Sequence, residues 1–181
     1  MKKNLTLFIL LIVAFSCGTV GKVTELKENG KFAASKKAKT IKSIPFDLDS
    51  HKSLLVVPNN DYMLGMTKNI EYFNEVLKFE DFELAIIRDE KQEEVGALSG
   101  KIGLSNAYKK YKPFLYIRLD ENEEKPNYLQ LKLINPEKSE ELFVAEIFMD
   151  FVWVGVYDKN TFNPLFNELI EYIKSNSATH Q

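Results

Sequence analysis

Hydrophobic and polar residues are arranged from Ile44 onward in short blocks whose period changes along the chain. Residues 54–57 (LLVV) form an apolar run that contains β-branched side chains and ends at Pro58, which predicts a buried strand. Residues 82–88 (FELAIIR) predict a second strand. Between these runs, an amphipathic helix is predicted from four apolar residues at spacings of four, three and four: Met66, Ile70, Phe73 and Leu77.

The middle of the chain predicts two short helical segments and a third strand. Residues 92–98 and 104–111 have helical character, and the second segment is stopped by Pro113. Residues 114–119 (FLYIRL) then predict the strand. Helices and strands are therefore expected to alternate through this region.

A β-hairpin is predicted next. Residues 128–133 alternate between apolar and polar side chains, residues 135–139 (NPEKS) form the turn, and residues 142–148 return as the partner strand. Residues 151–157 (FVWVGVY) either continue that strand past a bend or begin a sixth strand. Both alternatives fit the pattern.

The last predicted element is a helix that Asn163 caps, with Pro164 at its first position. Five apolar residues lie on one face of this helix: Leu165, Phe166, Leu169, Ile170 and Ile173. The predicted order of elements is β-α-β-α-β-β-β-α. This order indicates an α/β fold, with α+β as the alternative, in which helices pack on a mixed sheet of about five strands. Residues 44–181 are expected to form this single domain.

A different pattern precedes the domain. Two lysines near the start are followed by nine apolar residues, 7–15 (LFILLIVAF), which is the length of a signal-peptide core and too short to cross a bilayer. Ala14 and Ser16 are small, as cleavage by a signal peptidase requires. Cleavage after Ser16 would place Cys17, the single cysteine of the chain, at the new amino terminus. This layout resembles the signal peptide and lipobox of bacterial lipoproteins, with Ala14 and Phe15 where that family usually has Leu and a smaller residue.

The resemblance implies that residues 1–16 are a signal peptide and that Cys17 becomes acylated with fatty acids such as palmitate. Two or three acyl chains hold a protein firmly on a membrane. Gly18 is not the Asp that retains lipoproteins on the inner membrane in some bacteria, so we expect an outer-membrane anchor and a domain that faces the periplasm. The inner membrane is the alternative location. A plain secretory signal cut at the same bond and a retained amphiphilic helix are the competing interpretations.

Charge is distributed unevenly along the chain. Residues 18–43 hold seven lysines against Glu25 and Glu28, a net charge of +5, whereas residues from Ile44 onward hold 15 basic and 24 acidic residues, a net charge of −9. Residues 17–43 have few large apolar side chains and no sustained period, which predicts a flexible basic linker. Its lysines either approach an anionic membrane or simply keep the linker soluble. Because the pI is near 5.8 and the domain has no basic stripe, nucleic acid is not an expected partner.

The domain resembles the one shared by the curli-secretion lipoprotein, the penicillin-binding-protein activator lipoproteins and the amino-terminal part of the Tol translocation protein. Four stretches give this resemblance: residues 53–58, 82–89, 106–119 and 128–147. It implies an envelope accessory module with an α/β fold. The chain departs from the family at residues 110–113 (KYKP), where those proteins often have a glycine-rich step. It also has no pair of long lipid-facing amphipathic hairpins, which argues against a secretion pore.

Candidate catalytic and metal-binding residues are few. The two histidines, His51 and His180, do not assemble a Ser-His-Asp or Cys-His arrangement. His51 follows Asp47 and Asp49, but no second cluster adds metal ligands at a useful spacing, and such Asp/Ser runs usually form turns. Pairs of acidic residues lie in polar runs, where they are expected to be solvated. The glycines of residues 96–103 are expected to form turns. A phosphate-binding loop would need a strand directly before them, and none is predicted there. No catalytic residue, metal or cofactor is predicted.

Residues 151–157 also contain the best candidate for an aromatic contact surface. Phe151, Trp153 and Tyr157 fall on one face of a strand by alternation, and such aromatic residues anchor interfaces. Packing into the core is the competing interpretation. The sequence therefore predicts a lipid-anchored envelope protein whose domain binds another envelope protein or its own copies without catalysis. The alternative is an envelope hydrolase or small-ligand binder that uses buried carboxylates.

Overall fold

The computed structural model describes residues 23–149 and 159–178. These residues form an α/β fold built on a mixed sheet of six strands, which confirms the predicted fold class with one more strand than expected. The strands are β1 (Lys39–Ser43), β2 (Ser53–Val56), β3 (Glu75–Lys78), β4 (Leu115–Glu121), β5 (Tyr128–Asn135) and β6 (Glu140–Phe148). The helices are α1 (Asp61–Lys68), α2 (Phe79–Arg88), α3 (Gln92–Val95), α4 (Gly100–Lys110) and α5 (Lys159–Ser175).

The strand order in the sheet is β1-β6-β5-β4-β2-β3. The three strands β4, β2 and β3 are parallel, with Leu54 of β2 beside Val76 of β3 and Leu115 of β4. The strands from β4 to β1 are antiparallel, and β5 and β6 form the predicted hairpin. The sheet therefore has a parallel half joined through β4 to an antiparallel half.

Helices cover the two faces of the sheet differently. Helices α1 and α5 pack on one face, where Met63 and Phe166 join a core that also includes Leu54 and Phe143. Helices α2, α3 and α4 pack on the other face of the parallel half, around Phe82 and Phe114. No helix within residues 23–149 or 159–178 has the length and apolar character needed to span a membrane.

Two predicted elements differ from the structure between β2 and α3. The predicted helix through Met66 and Leu77 ends at Lys68, and Leu77 lies in β3, a strand of four residues at the edge of the sheet. So short a strand has too few alternations to be distinguished from a helical turn. Residues 82–88, predicted as a strand, belong to helix α2. From β2 to α5 the observed order is β-α-β-α-α-α-β-β-β-α. The succession of strands and helical regions is thus the predicted one, with three helices between β3 and β4, and β3 lies just before the predicted second strand.

The linker expected over residues 17–43 is folded in the part that the structure describes. Residues 39–43 form β1, which pairs with β6 and becomes an edge of the sheet. Phe32 is 2% exposed and packs edge-on against Phe166, at 6.1 Å between ring centroids. The side chain of Asn167 accepts a hydrogen bond from the Phe32 backbone N–H and donates one to the Phe32 carbonyl. The segment is thus held on α5 by packing and by a side-chain amide, despite its polar composition.

Helix α5 also differs from its prediction. It includes residues from Lys159 onward, so Pro164 lies inside the helix and not at its first position. Asn163 does not cap it; its side chain donates a hydrogen bond to the carbonyl of Ala33. The predicted apolar face is buried as expected, with Leu165, Leu169 and Ile173 among its members. The question of whether residues 151–157 continue a strand lies outside the described residues.

Candidate protein-binding surface

Helix α2 is apolar on two faces. Its inner face buries Phe82, Ala85 and Ile86 against the sheet. On its outer face, Leu84 is 63% exposed and Ile87 is 55% exposed. These two residues are three apart, so they are neighbours on the helix surface and form one apolar patch. Large apolar side chains grouped in this way are typical of binding surfaces.

The patch is one wall of a groove between α2 and the segment that joins α3 to α4. The groove has a volume of about 430 Å³ and a mainly apolar lining. Leu84, Ile86 and Ile87 line it from α2, and Ala97 and Leu98 line it from the other side. We call this the α2 groove. Its apolar lining would be removed from water by a complementary partner, which is favourable at about 25 cal/mol per Å².

The charges at the α2 groove are acidic. Glu80 and Glu83 line it one turn before Leu84 and Ile87, respectively. Among the described residues no basic side chain lines it, and Gln92 is the other polar side chain there. The nearby cation Lys91 is paired with Glu94 at 2.6 Å. The groove therefore offers an apolar stripe flanked by negative charge.

The α2 groove is held open by packing beneath it. The rings of Phe82 and Phe114 lie 4.8 Å apart and fix α2 on the sheet. The Lys110 ammonium donates a 2.8 Å hydrogen bond to the carbonyl of Glu94, which ties α3 to α4. Gly103 faces the Ala97 carbonyl and the backbone of Leu98 so closely that a Cβ atom would overlap them. These contacts make the groove a preformed feature of the fold.

Four acidic side chains outside the α2 groove have lowered pKa values. Burial alone would raise the pKa of Glu75, but hydrogen bonds from Lys112 and Ser53 outweigh burial and hold that pKa below its usual range. Burial likewise opposes ionisation of Glu146, yet hydrogen bonds from Lys125, Gln130 and Asn122 lower its pKa. Hydrogen bonds from Tyr111 and from Lys31 lower the pKa values of Asp89 and Glu171, respectively. A general acid needs a raised pKa, so none of these four carboxyl groups is suited to that role.

His51 lies in a packed polar setting. Its Nε2 atom is 2.7 Å from the Tyr108 hydroxyl, and its Nδ1 atom is 2.8 Å from Oγ of Ser50. Its ring packs between those of Phe46 and Tyr108. Within residues 23–149 and 159–178, no group of three or more His, Cys, Asp or Glu side chains could hold a metal ion.

The site residues predicted from the sequence lie outside the described residues. This holds for Cys17 and for the aromatic candidates Phe151, Trp153 and Tyr157. The α2 groove was missed because residues 82–88 were interpreted as a strand. A signal for it was present: Phe82, Ala85 and Ile86 follow one helical face, while Leu84 and Ile87 follow another.

Comparison with known proteins adds one distant similarity. No protein-family model matches the chain, and no curated protein matches it. Among solved structures, the LpoB C-terminal domain from Salmonella enterica is similar at 13% sequence identity and a TM-score of 0.33. The match covers 54% of this chain and 82% of that one. Similarity at this level does not identify what the chain binds.

Proposed function

We propose that this chain is a lipid-anchored protein of the bacterial envelope whose domain faces the periplasm and binds another protein without catalysis. The observation behind the binding role is the exposure of Leu84 and Ile87 side by side on the outer face of α2, at 63% and 55%. The anchor is supported by the sequence alone, since Cys17 follows a signal-like apolar run. The outer membrane is the proposed location.

The partner that fits the α2 groove is a basic amphipathic helix. Its apolar side chains would pack on Leu84 and Ile87, and its Lys or Arg side chains would face Glu80 and Glu83. A groove between a helix and an adjacent connecting segment accommodates a helix better than a flat surface would. Complementary charge of this kind favours specificity and rapid association.

The rival function is a hydrolase or small-ligand binder that uses buried carboxylates. Such a function would require a carboxylic acid with a raised pKa in a deep cavity. Glu146, which is 4% exposed, is the buried carboxylate among the described residues, and its pKa is lowered by three hydrogen-bond donors. This arrangement favours a structural role for Glu146 and therefore the binding function.

The binding role is tested with a defined probe, a fluorescent amphipathic Leu/Lys peptide of about four helical turns, and with its Leu/Glu counterpart. We expect the wild-type domain to bind the Leu/Lys peptide and to reject the Leu/Glu peptide in fluorescence anisotropy. The double substitution Leu84→Ser/Ile87→Ser should weaken binding by at least about tenfold, which corresponds to ~1.4 kcal/mol. The double substitution Glu80→Gln/Glu83→Gln should reduce the salt dependence of peptide binding.

Two matched controls separate the groove from general properties of the protein. Ile102 is 79% exposed on α4 outside the groove, so Ile102→Ser removes exposed apolar surface elsewhere. Glu123→Gln/Glu124→Gln removes the same charge from the loop between β4 and β5. Both controls should bind like the wild type. Equal losses of peptide binding in the controls and in the groove variants would overturn the proposal. Sedimentation of each variant would show whether a second copy of the protein occupies the groove instead.

A further inference from the structure

A second concave feature lies at the junction of the two connections that leave the parallel half of the sheet. The connection from β2 through α1 leads outward to β3, and the connection from β3 through α2, α3 and α4 returns past β2 to β4. The strand order therefore reverses between β2 and β4. In open α/β sheets, a crevice forms outside the carboxyl ends of the strands at such a reversal and commonly binds ligands.

The structure has a crevice of about 350 Å³ at this position. Its polar lining comes from Asn59, which follows β2, from Arg118 of β4 and from Lys101 in the first turn of α4. Phe79, Leu104 and Tyr116 are part of its apolar lining. This volume is in the usual range for a small-molecule site, and a mainly apolar lining with a few polar groups is the usual composition.

The charges of this crevice contrast with those of the rest of the domain. Arg118 and Lys101 line it, and no carboxylate among the described residues does. Residues from Ile44 onward have a net charge of −9, whereas the lining of the crevice contains Lys101 and Arg118 and, among the described residues, no carboxylate; Asp120, which pairs with Arg118, lies outside the lining. An anion entering the crevice would meet attraction there and repulsion over most of the surrounding surface.

Arg118 is held in position before any ligand arrives. Its Nε and Nη2 atoms donate hydrogen bonds of 2.8 Å and 2.5 Å to one carboxylate oxygen of Asp120. The second oxygen of Asp120 is paired with Lys132 at 3.3 Å. The Arg118 side chain is nevertheless 43% exposed, so part of the guanidinium remains available to solvent or to a ligand. Lys101 has no acidic partner within the part of the chain that the structure describes.

We propose that this crevice binds a small organic anion, a carboxylate or phosphate attached to an aromatic or other apolar body. Arg118 and Lys101 pair with the anionic group, and Phe79, Leu104 and Tyr116 cover the apolar body. This site adjoins the α2 groove and shares Leu98 with it, but Arg118, Lys101 and the apolar residues Phe79, Leu104 and Tyr116 line the crevice alone. It adds a ligand to the proposed protein-binding role.

The test uses phenyl phosphate as the probe and isotope-labelled protein in nuclear magnetic resonance titrations. We expect saturable shifts of the backbone amides of Val57, Asn59 and residues 99–104. Inorganic phosphate, which has the charge without the ring, and benzyl alcohol, which has the ring without the charge, should each bind at least about tenfold more weakly.

Variants locate the binding in the crevice. Arg118→Gln and Lys101→Gln should each weaken phenyl phosphate binding by about tenfold. Lys101→Gln is the cleaner of the two, because Arg118→Gln also removes the partner of Asp120. Arg88→Gln, at an exposed arginine of α2, should bind like the wild type, as should Leu84→Ser/Ile87→Ser. Equal binding of inorganic and phenyl phosphate, or equal binding by wild type and Lys101→Gln, would overturn the proposal without affecting the one for the α2 groove.

Discussion

The hydroxyl group of Tyr111 donates a 2.6 Å hydrogen bond to the carboxylate of Asp89. The bond joins the residue after α4 to the residue after α2, and so it ties together the two helices beside the α2 groove. Burial and then the Asp89 carboxylate raise the pKa of Tyr111 to about 12. Hydrogen bonds from Tyr111 and then Arg88 lower the pKa of Asp89.

This pair predicts a specific alkaline transition. A tyrosine whose folded pKa exceeds its unfolded value of about 10 stabilises the fold below that value, and the contribution is lost as the pH rises toward 12. Tyr111→Phe should remove a late component from the ultraviolet titration of the tyrosines. It should also reduce the loss of stability that wild type shows over that pH interval. A titration curve unchanged by Tyr111→Phe would contradict the assignment.

The docking of the amino-terminal segment predicts a large effect of a core substitution. Phe32 is buried against Phe166, so Phe32→Ala should lower the free energy of unfolding by about 3–5 kcal/mol in urea denaturation. Lys37→Ala, at an exposed position of the same segment, should change it by less than about 0.5 kcal/mol. Similar stabilities for Phe32→Ala and wild type would mean that the segment is a flexible linker after all.

The buried Glu146 carboxylate predicts a pH-dependent stability difference. Its folded pKa is lowered, so it stabilises the fold above its unfolded value of about 4.5, and that contribution is lost as the pH falls through the folded pKa. Glu146→Gln should therefore cost about 1–3 kcal/mol near neutral pH, because a neutral amide accepts weaker hydrogen bonds from Asn122, Lys125 and Gln130 than the buried carboxylate does. The difference from wild type should shrink in acid. Glu123 is exposed and lies next to Asn122 in sequence. Glu123→Gln should therefore show no such pH-dependent difference in stability.

The hairpin and the buried faces could be predicted from the sequence because each has a repeated local pattern. Strand β5 alternates between apolar and polar residues, β6 contains a long, mainly apolar run, and α5 has five apolar residues on one face. Strand β1 could not be predicted, because its sequence (KTIKS) is that of an exposed edge strand. Its position depends on pairing with β6, more than a hundred residues away in sequence. Long-range pairing of this kind leaves no local periodicity.

The α2 groove was hidden for a different reason. A helix with apolar residues on both its inner and outer faces loses the clear alternation of apolar and polar stripes, so FELAIIR fits a strand equally well. The apolar outer face that obscured the helix also suggests its binding role, since Leu84 and Ile87 are exposed and do not contribute to the core. The crevice beside Arg118 depends on strand order, which local sequence patterns do not determine.

The proposed anchor predicts a change in cellular location. Cys17→Ala removes the thiol that would receive the acyl chains, so the protein should move from the membrane fraction to the soluble periplasmic fraction. Cys17→Ser, which also lacks the thiol, should behave in the same way. Membrane retention of both variants would contradict the lipid anchor while leaving the α2 groove proposal intact.

The most direct test of the binding role is site-specific photo-crosslinking in intact cells. A benzophenone side chain at position 84 should crosslink to one recurring envelope protein, and mass spectrometry should locate the crosslink in a basic amphipathic segment of that protein. The crosslink should be weaker in the Glu80→Gln/Glu83→Gln background and absent when the benzophenone is placed at position 102. No recurring crosslink at position 84, or the same crosslinks at positions 84 and 102, would contradict the proposal that this protein binds its partner through the α2 groove.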